Sequence, residues 1–286
     1  MERSKTSLIF HKNLGALFLL LLTSCSSLLY HPDKSLYLPH QKSGQTAHEI
    51  EFKTSDNVSL SAWFFPTKSN PPKGTVTLFH GNGQNISSHY LSVLWLVPQG
   101  YQIFVFDYRG YGKSQGSPSP KGTYLDGLAA LDKAWDLHQT NKALGKPFVV
   151  IGQSLGGTIA LRSIQDFTNK DEVTHLVLDS TFLSYVEIAR DKMLSSFITW
   201  PLSIFAGLLF SDEFAATESL KTFKNSVLVI HDKNDDVIPF AFGKEIYEKA
   251  KEPKYLWALE NVGHIGSFNT ETPETRNRFL KLLSPP

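Results

Sequence analysis

Short apolar runs recur along the chain and alternate with stretches long enough to form helices. The runs lie at 75–79, 102–106, 148–151, 175–178, 226–230 and 255–259. Runs of this length are typical of strands that are buried on both faces. Apolar residues spaced by three and four predict helices at 86–97, 120–141, 154–166 and 239–250. This alternation predicts an α/β fold with a mostly parallel sheet, whose active site lies beyond the carboxyl ends of the strands.

An antiparallel hairpin is predicted at one edge of the same sheet. Residues 48–53 and 58–66 flank Thr54-Ser55-Asp56-Asn57, a sequence typical of turns. With the six later runs, the hairpin gives an eight-stranded sheet in one domain over residues 48–286. A hydrophobic content of 41% and a charged content of 19% support a globular domain with a substantial core.

The charge distribution argues against a nucleic-acid partner, because the net charge is only +1 and no long run of one sign occurs. His, Cys and carboxylate residues show no spacing typical of a metal site. Gly110-x-Gly112 is too short for a dinucleotide-binding loop. We therefore expect neither a metal nor an organic cofactor. The sequence leaves the oligomeric state open.

The first 24 residues have the three-part layout of an export signal. Basic side chains lie within residues 1–13, and the apolar run 14–22 is shorter than the roughly 20 residues that usually span a bilayer. Leu22-Thr23-Ser24-Cys25 follows and resembles the bacterial lipobox, in which the cysteine becomes the lipid-modified first residue. Cys25 is the only cysteine, so it cannot form an internal disulfide.

These features predict a lipoprotein signal peptide over 1–24, a lipidated Cys25 and a polar tether over 25–47. Acyl chains on Cys25 would hold the protein at a membrane without spanning it. Resemblance to bacterial lipoproteins implies the cell envelope, and the outer membrane in particular, because Asp does not follow Cys25. A plain secretory signal with an incidental cysteine is the alternative.

A nucleophile motif stands between the 148–151 strand and the helix that follows. Gly152-Gln153-Ser154-Leu155-Gly156 matches G-x-S-x-G, a sharp turn that exposes the serine and favours glycine on either side. In this setting the chain resembles the α/β-hydrolase superfamily. The resemblance implies a catalytic triad of serine, acid and histidine, with Ser154 as the nucleophile.

Two further loops resemble parts of that superfamily. His80-Gly81-Asn82-Gly83 follows the 75–79 strand and resembles the oxyanion loop. The resemblance implies that the backbone N–H groups of Asn82 and Leu155 form the oxyanion hole. The stretch 107–114 resembles D-x-R-G-x-G-x-S, which is structural in the superfamily, so Asp107 is not expected to be the triad acid.

The acid and the base are implied by the last two loops. The segment 231–239 resembles H-G-x-x-D-x-x-x-P, and alignment on its ends selects Asp235. It departs from the pattern at Asp232, where glycine is usual, and Asp236 is an adjacent rival. Asn261-Val262-Gly263-His264 resembles the superfamily's G-H pair and implies His264 as the base. The order Ser, Asp, His is the superfamily's own.

Residues 182–218 are predicted to form a short helical lid. Its apolar residues could line an acyl pocket, rest on lipid or simply pack onto the core. They are Met193, Phe197, Ile198, Trp200, Leu202, Ile204, Phe205, Leu208, Leu209 and Phe210. The stretch from Asp212 to Ile238 resembles a small-lid branch of the superfamily, which contains membrane-associated esterases and protein depalmitoylases and is often labelled serine aminopeptidase-like.

The resemblance implies a serine hydrolase that cleaves a carboxylic ester or thioester through an acyl-enzyme. Its substrate would be a small molecule or an acylated molecule with an apolar acyl group. An amide hydrolase of the aminopeptidase type is one alternative. A catalytically silent envelope binding protein on the same fold is another, although each triad role has a candidate here.

Overall fold

The computed structural model describes residues 29–269 and 271–284. The predicted signal peptide and Cys25 lie outside the described residues. Eight strands form one sheet: β1 (His48–Lys53), β2 (Ser59–Phe65), β3 (Gly74–Phe79), β4 (Tyr101–Phe106), β5 (Phe148–Gln153), β6 (His175–Asp179), β7 (Ser226–Asp232) and β8 (Lys254–Leu259). Their order is β1-β2-β4-β3-β5-β6-β7-β8.

Only β2 runs against its neighbours β1 and β4, and all other pairs are parallel. The predicted α/β-hydrolase fold is therefore confirmed. Since β3 to β8 all point the same way, the loops after Phe79, Phe106, Gln153, Asp179 and Asp232 emerge at one edge of the sheet. Every residue predicted for the triad and the oxyanion hole follows one of these strands or β8.

Helices cover both faces of the sheet. They are α1 (Ile86–His89), α2 (Leu91–Leu94), α3 (Pro120–Thr140), α4 (Leu155–Asp166), α5 (Tyr185–Leu194), α6 (Ala206–Leu209), α7 (Phe240–Lys249) and α8 (Pro273–Leu283). The single helix predicted at 86–97 is two short helices followed by turns. None of the helices within the two described ranges is long and apolar enough to cross a membrane.

The strands divide the core into two layers. In β4, Phe104 and Phe106 face the layer covered by α3, α4 and α7, whereas Ile103 and Val105 face the layer covered by α1, α2 and α8. Full burial on both faces explains why the central strands read as apolar runs without polar alternation.

The N-terminal arm, which we define as residues 29–38, packs on the domain. Tyr30 is only 2% exposed, and its hydroxyl lies 3.0 Å from Thr123 Oγ1 and contacts the Tyr185 hydroxyl. Leu38 N–H donates to the Ser87 carbonyl at 3.1 Å. The predicted polar tether thus includes a packed segment, because a few apolar side chains among polar neighbours reach the core.

The predicted lid contains α5, a 3₁₀ helix at Trp200–Phe205 and α6. Ser184 begins α5, because its hydroxyl accepts from Glu187 N–H at 3.0 Å and donates to the Asp212 carboxylate at 2.6 Å. Asp212, late in the lid, therefore binds the residue that begins α5, and this bond holds the two ends of the lid together.

Candidate active site

Ser154 occupies a strained turn between β5 and α4. Its φ of 52° and ψ of −125° are unusual for a residue with a side chain and store roughly 1–3 kcal/mol of strain. Thr181 Oγ1 donates to the Ser154 carbonyl at 2.5 Å, and Ser154 N–H donates to the Asp179 carbonyl at 2.9 Å. These bonds hold the turn, and the serine stays 8% exposed.

The two motif glycines are required by close backbone approaches. A Cβ atom on Gly152 would lie 2.5 Å from the Gly157 Cα atom, and one on Gly156 would overlap the Phe79 carbonyl oxygen. A side chain at Gly152 would push α4 away from β5, and one at Gly156 would push α4 away from the end of β3. The G-x-S-x-G pattern thus has a steric basis here.

Asp235 and His264 meet across the loops that follow β7 and β8. His264 Nδ1 lies 2.8 Å from Asp235 Oδ2 and 3.1 Å from Oδ1. Val237 and Ile238 N–H groups each donate to Asp235 Oδ1 at 2.9 Å. Burial raises the pKa of Asp235, but the hydrogen bonds from His264 and the backbone outweigh burial and lower it to about 2.

The rival carboxylate, Asp236, is exposed to solvent. Among the residues that the structure describes, it makes no hydrogen bond to His264. Asp235, by contrast, is only 8% exposed and accepts hydrogen bonds from three donors. The geometry therefore separates two residues that alignment alone left adjacent.

Ser154 and His264 are not directly hydrogen-bonded within the described part of the chain. Both of their loops nevertheless contact the end of β6. Ser154 N–H donates to Asp179, and Ile265 N–H donates to Ser180 Oγ at 3.4 Å. Hydrogen bonds between catalytic groups are often long before substrate binds, so this arrangement is compatible with a Ser-His pair.

The predicted oxyanion loop is fixed through the side chain of Asn82. Its Oδ1 accepts from His31 N–H at 2.8 Å and from the Tyr111 hydroxyl at 2.7 Å, and its Nδ2 donates to the Leu29 carbonyl at 2.9 Å. Within residues 29–269 and 271–284, the backbone N–H groups of Asn82 and Leu155 have no acceptor. Leu155 also begins α4, where the helix dipole favours a negative charge.

Asp107 is a buried residue in the loop that follows β4. It is 2% exposed and its Oδ1 accepts from Ile86 N–H at 2.8 Å. Burial raises its pKa to about 7, and burial lowers the pKa of the adjacent His80 to about 3. Asp107 makes no contact with His264 in the described residues, which agrees with the structural role predicted for it.

Asp232 has a role that the sequence did not reveal. Its carboxylate accepts from Asn234 N–H at 2.8 Å, from Gly263 N–H at 2.7 Å and from Val262 N–H. These bonds tie the Asp235 loop to the His264 loop and lower the pKa of Asp232 despite its burial. The only signal in the sequence is the departure from glycine at this position.

Asp179 is a second buried carboxylate that sequence reasoning missed. It is fully buried, and accepts from Ser267 Oγ at 2.7 Å and from Gln153 Nε2 at 3.2 Å. Burial raises its pKa, and the two donors act against that shift. Through Asp179, the residue before Ser154 is connected to the loop that carries His264.

Metal binding can be assessed from the side chains directly. In the ranges described, no group of three or more His, Cys, Asp or Glu residues is arranged so that it could hold a metal ion.

Comparison with known proteins places this site in context. Residues 70–216 match the family described as "Serine aminopeptidase, S33". The protein YfhR of Escherichia coli K12 is 32% identical over 244 residues, which cover 84% of this chain and 80% of YfhR. The α/β hydrolase domain-containing protein WAV2 of Arabidopsis thaliana is 30% identical over 71% of this chain and 66% of its own.

Among solved structures, the Pyrococcus furiosus esterase Pf2001 superimposes with a TM-score of 0.71. The alignment has 22% sequence identity and covers 89% of this chain and 97% of the esterase. At this identity, the likeness supports the fold and leaves the substrate open. The family match includes Ser154 and Asn82 but ends before Asp235 and His264.

Proposed function

Because the chain belongs to the serine aminopeptidase S33 family of α/β-hydrolases, we propose that it is a serine hydrolase that cleaves a carboxylic ester or thioester. The observation that carries this proposal is the 2.8 Å hydrogen bond between His264 and Asp235 beside the strained Ser154 turn. A nucleophile, a base and an orienting acid are the three groups that acyl transfer requires.

In this mechanism, His264 takes the proton of Ser154 Oγ as the oxygen attacks the carbonyl carbon of the substrate. Asp235 holds the imidazole in one tautomer and stabilises the imidazolium. The N–H groups of Asn82 and Leu155 stabilise the oxyanion, at about 3 kcal/mol per donor. The leaving alcohol or thiol receives the proton from His264, and water then hydrolyses the acyl-enzyme.

An apolar acyl group fits the lid beside this site. Residues 193–210 contain no charged side chain, and several of their apolar side chains are exposed. An aminopeptidase has to bind the free amine of its substrate, and carboxylates at the lid would favour that binding. The nearby Asp212 is instead engaged by Ser184 and by Val186 N–H.

We further propose that lipidation of Cys25 anchors the protein in the bacterial cell envelope, at the outer membrane. The lipobox-like sequence and the absence of any other cysteine support this assignment. Labelling cells with an alkyne analogue of palmitate should mark the protein and should fail with Cys25→Ala. Equal labelling of both proteins would exclude this anchor.

The hydrolase assignment is tested with Ser154→Ala on a chain-length series of p-nitrophenyl esters. We expect turnover to fall at least about 10⁴-fold, and labelling by a fluorophosphonate probe to disappear. Ser195→Ala, an exchange in the lid's surface, is the matched control and should keep both signals. Equal turnover by wild type and Ser154→Ala would contradict the assignment as a serine hydrolase. A preference for aminoacyl p-nitroanilides over esters would favour the aminopeptidase alternative.

A further inference from the structure

The lid exposes several apolar side chains to solvent within one short segment. We call this set the lid patch and define it by Leu194, Phe197, Ile198, Trp200, Ile204 and Leu208. Phe197 is 91% exposed, Ile198 84% and Ile204 76%. Single exposed apolar residues are ordinary, whereas a cluster within one short segment indicates an interaction surface.

The lid patch continues from the end of α5, and α5 contacts two segments at the edge of the sheet that carries the site. At its N-terminal end, the Tyr185 hydroxyl of α5 contacts the Tyr30 hydroxyl of the N-terminal arm. Further along α5, Lys192 Nζ donates to the Val237 carbonyl in the Asp235 loop. The lid is thus attached to the arm on one side and to the acid loop on the other.

The chain preceding the arm also starts from this edge. Leu29, the first described residue, accepts a hydrogen bond from Asn82 of the oxyanion loop. Only three residues separate Leu29 from Cys25, and four fully extended peptide units span at most about 14 Å. The residue that carries the lipid would therefore lie within about 14 Å of Leu29, which contacts the oxyanion loop.

We propose that the lid patch rests on a phospholipid bilayer and holds this edge of the sheet, the catalytic face, against it. The proposal builds on the lipid anchor proposed above and narrows the substrate to acyl groups that are embedded in the membrane. A bilayer fits better than a charged partner, because the 18 residues at 193–210 include no charged side chain. It fits better than a second copy, because a lipid on Cys25 would bring a membrane to the edge of the sheet that the lid also contacts.

Trp200 provides a direct probe, because it lies in the lid patch and is 53% exposed. Full-length lipidated protein is incorporated into phosphatidylcholine vesicles with and without brominated acyl chains, which quench nearby tryptophans. We expect quenching in the wild type and loss of at least half of that quenching in Trp200→Phe. Equal fractional quenching in both proteins would overturn the proposal.

Leu144 gives a matched control at the opposite end of the sheet. It precedes β5 and is 59% exposed, so Leu144→Trp in the Trp200→Phe background reports on the amino-end surface. This added tryptophan should not be quenched. Quenching as strong as that of Trp200 would show that the protein does not lie on its catalytic face, and would contradict the proposal.

An activity measurement adds an independent arm. The double variant Phe197→Ser/Ile198→Ser should lower the ratio of the rate on a vesicle-embedded long-chain ester to the rate on a soluble short ester about tenfold below the wild-type ratio. Leu144→Ser should leave both rates unchanged. If sedimentation shows a wild-type dimer that this double variant converts to monomers, and Trp200 is not quenched, the patch binds a second copy and the proposal is wrong.

The two proposals fail in different ways. Quenching of Trp200 requires no turnover, so it is measured equally well with Ser154→Ala. A protein that is quenched but inactive would refute the hydrolase and support the docking surface. An active protein without quenching would refute the docking surface alone.

Discussion

Two buried carboxylates follow strands of the same sheet, and each lies beside a histidine. Their environments nevertheless shift their pKa values in opposite directions. Asp107 follows β4 and has its pKa raised to about 7, whereas Asp235 follows β7 and has its pKa lowered to about 2. The first pair has 3.5 Å between His80 Nε2 and the carboxylate, and the second has 2.8 Å between His264 Nδ1 and the carboxylate.

The difference comes from the donors and from the exposure of the histidine. His80 is completely buried, so its imidazole stays neutral and gives Asp107 little support. His264 keeps 17% of its side chain exposed, and together with two backbone N–H groups it stabilises the Asp235 anion. A carboxylate near a histidine is thus insufficient to define a catalytic pair, because the carboxylate must also be ionised and the histidine must be within reach of the substrate.

The largest expected effect distinguishes these two carboxylates by activity. Asp235→Asn should reduce kcat for a short ester by about 10⁴-fold, because the amide no longer favours the catalytic tautomer of His264. Asp107→Asn should stay within a few-fold of wild type. Steady-state kinetics on both variants, with circular dichroism to verify folding, checks this prediction.

Asp236→Asn is the control for the neighbouring acid and should leave kcat unchanged, since Asp236 is exposed. If Asp107→Asn or Asp236→Asn lost as much activity as Asp235→Asn, the contrast between the loops would have no catalytic meaning.

A smaller effect is expected at Asp232, which ties the acid loop to the histidine loop. Asp232→Ala should lower kcat about 10²-fold with little change in KM, because a displacement of about 1 Å at the base has that effect. The pH–rate profile should also shift, and Asp232→Asn should recover part of the loss. A lower melting temperature with kcat unchanged would show that Asp232 has only a structural role.

The smallest effect is a pH dependence of stability at Asp107. Its folded pKa of about 7 lies above the ordinary 3.8, so between these values the folded protein keeps a proton that the unfolded chain releases. The free energy of unfolding therefore falls as pH rises across this window, by at most about 1.4 kcal/mol per pH unit. Asp107→Asn should remove this contribution.

Urea unfolding of wild type and Asp107→Asn at pH 5 and pH 7 measures it. The midpoint of the Asn variant should rise relative to wild type between the two pH values. A constant difference would mean that Asp107 does not titrate in this range.

Much of the fold could be predicted because its main signals are local. The run at 148–151 and the glycines around Ser154 locate a buried strand and a tight turn without any long-range information. The helix predicted at 86–97 was only partly right, since Tyr90 and its neighbours pack as short helices and turns. The order of β3 and β4 in the sheet depends on pairing between distant segments, which periodicity does not encode.

The site shows the same division. The position of Asp235 follows from its spacing to Pro239, and its contact with His264 brings the two loops together in the structure. Asp179 escaped prediction because its two partners lie 26 and 88 residues away in sequence. Asp232 escaped prediction because its partners in the His264 loop lie 30 and 31 residues away. Tyr30 escaped because one aromatic residue in a polar stretch gives no periodic signal.

The backbone of Ser154 has a consequence for attempts to improve this protein. A residue with a side chain that is held at a φ of 52° lowers the free energy of unfolding through backbone strain. Glycine at this position would relieve that strain. Selection for heat resistance alone would therefore favour Ser154→Gly, the exchange that removes the nucleophile. Directed evolution of a hardier variant has to retain turnover as a second criterion at every round, because at this position robustness and catalysis are opposed.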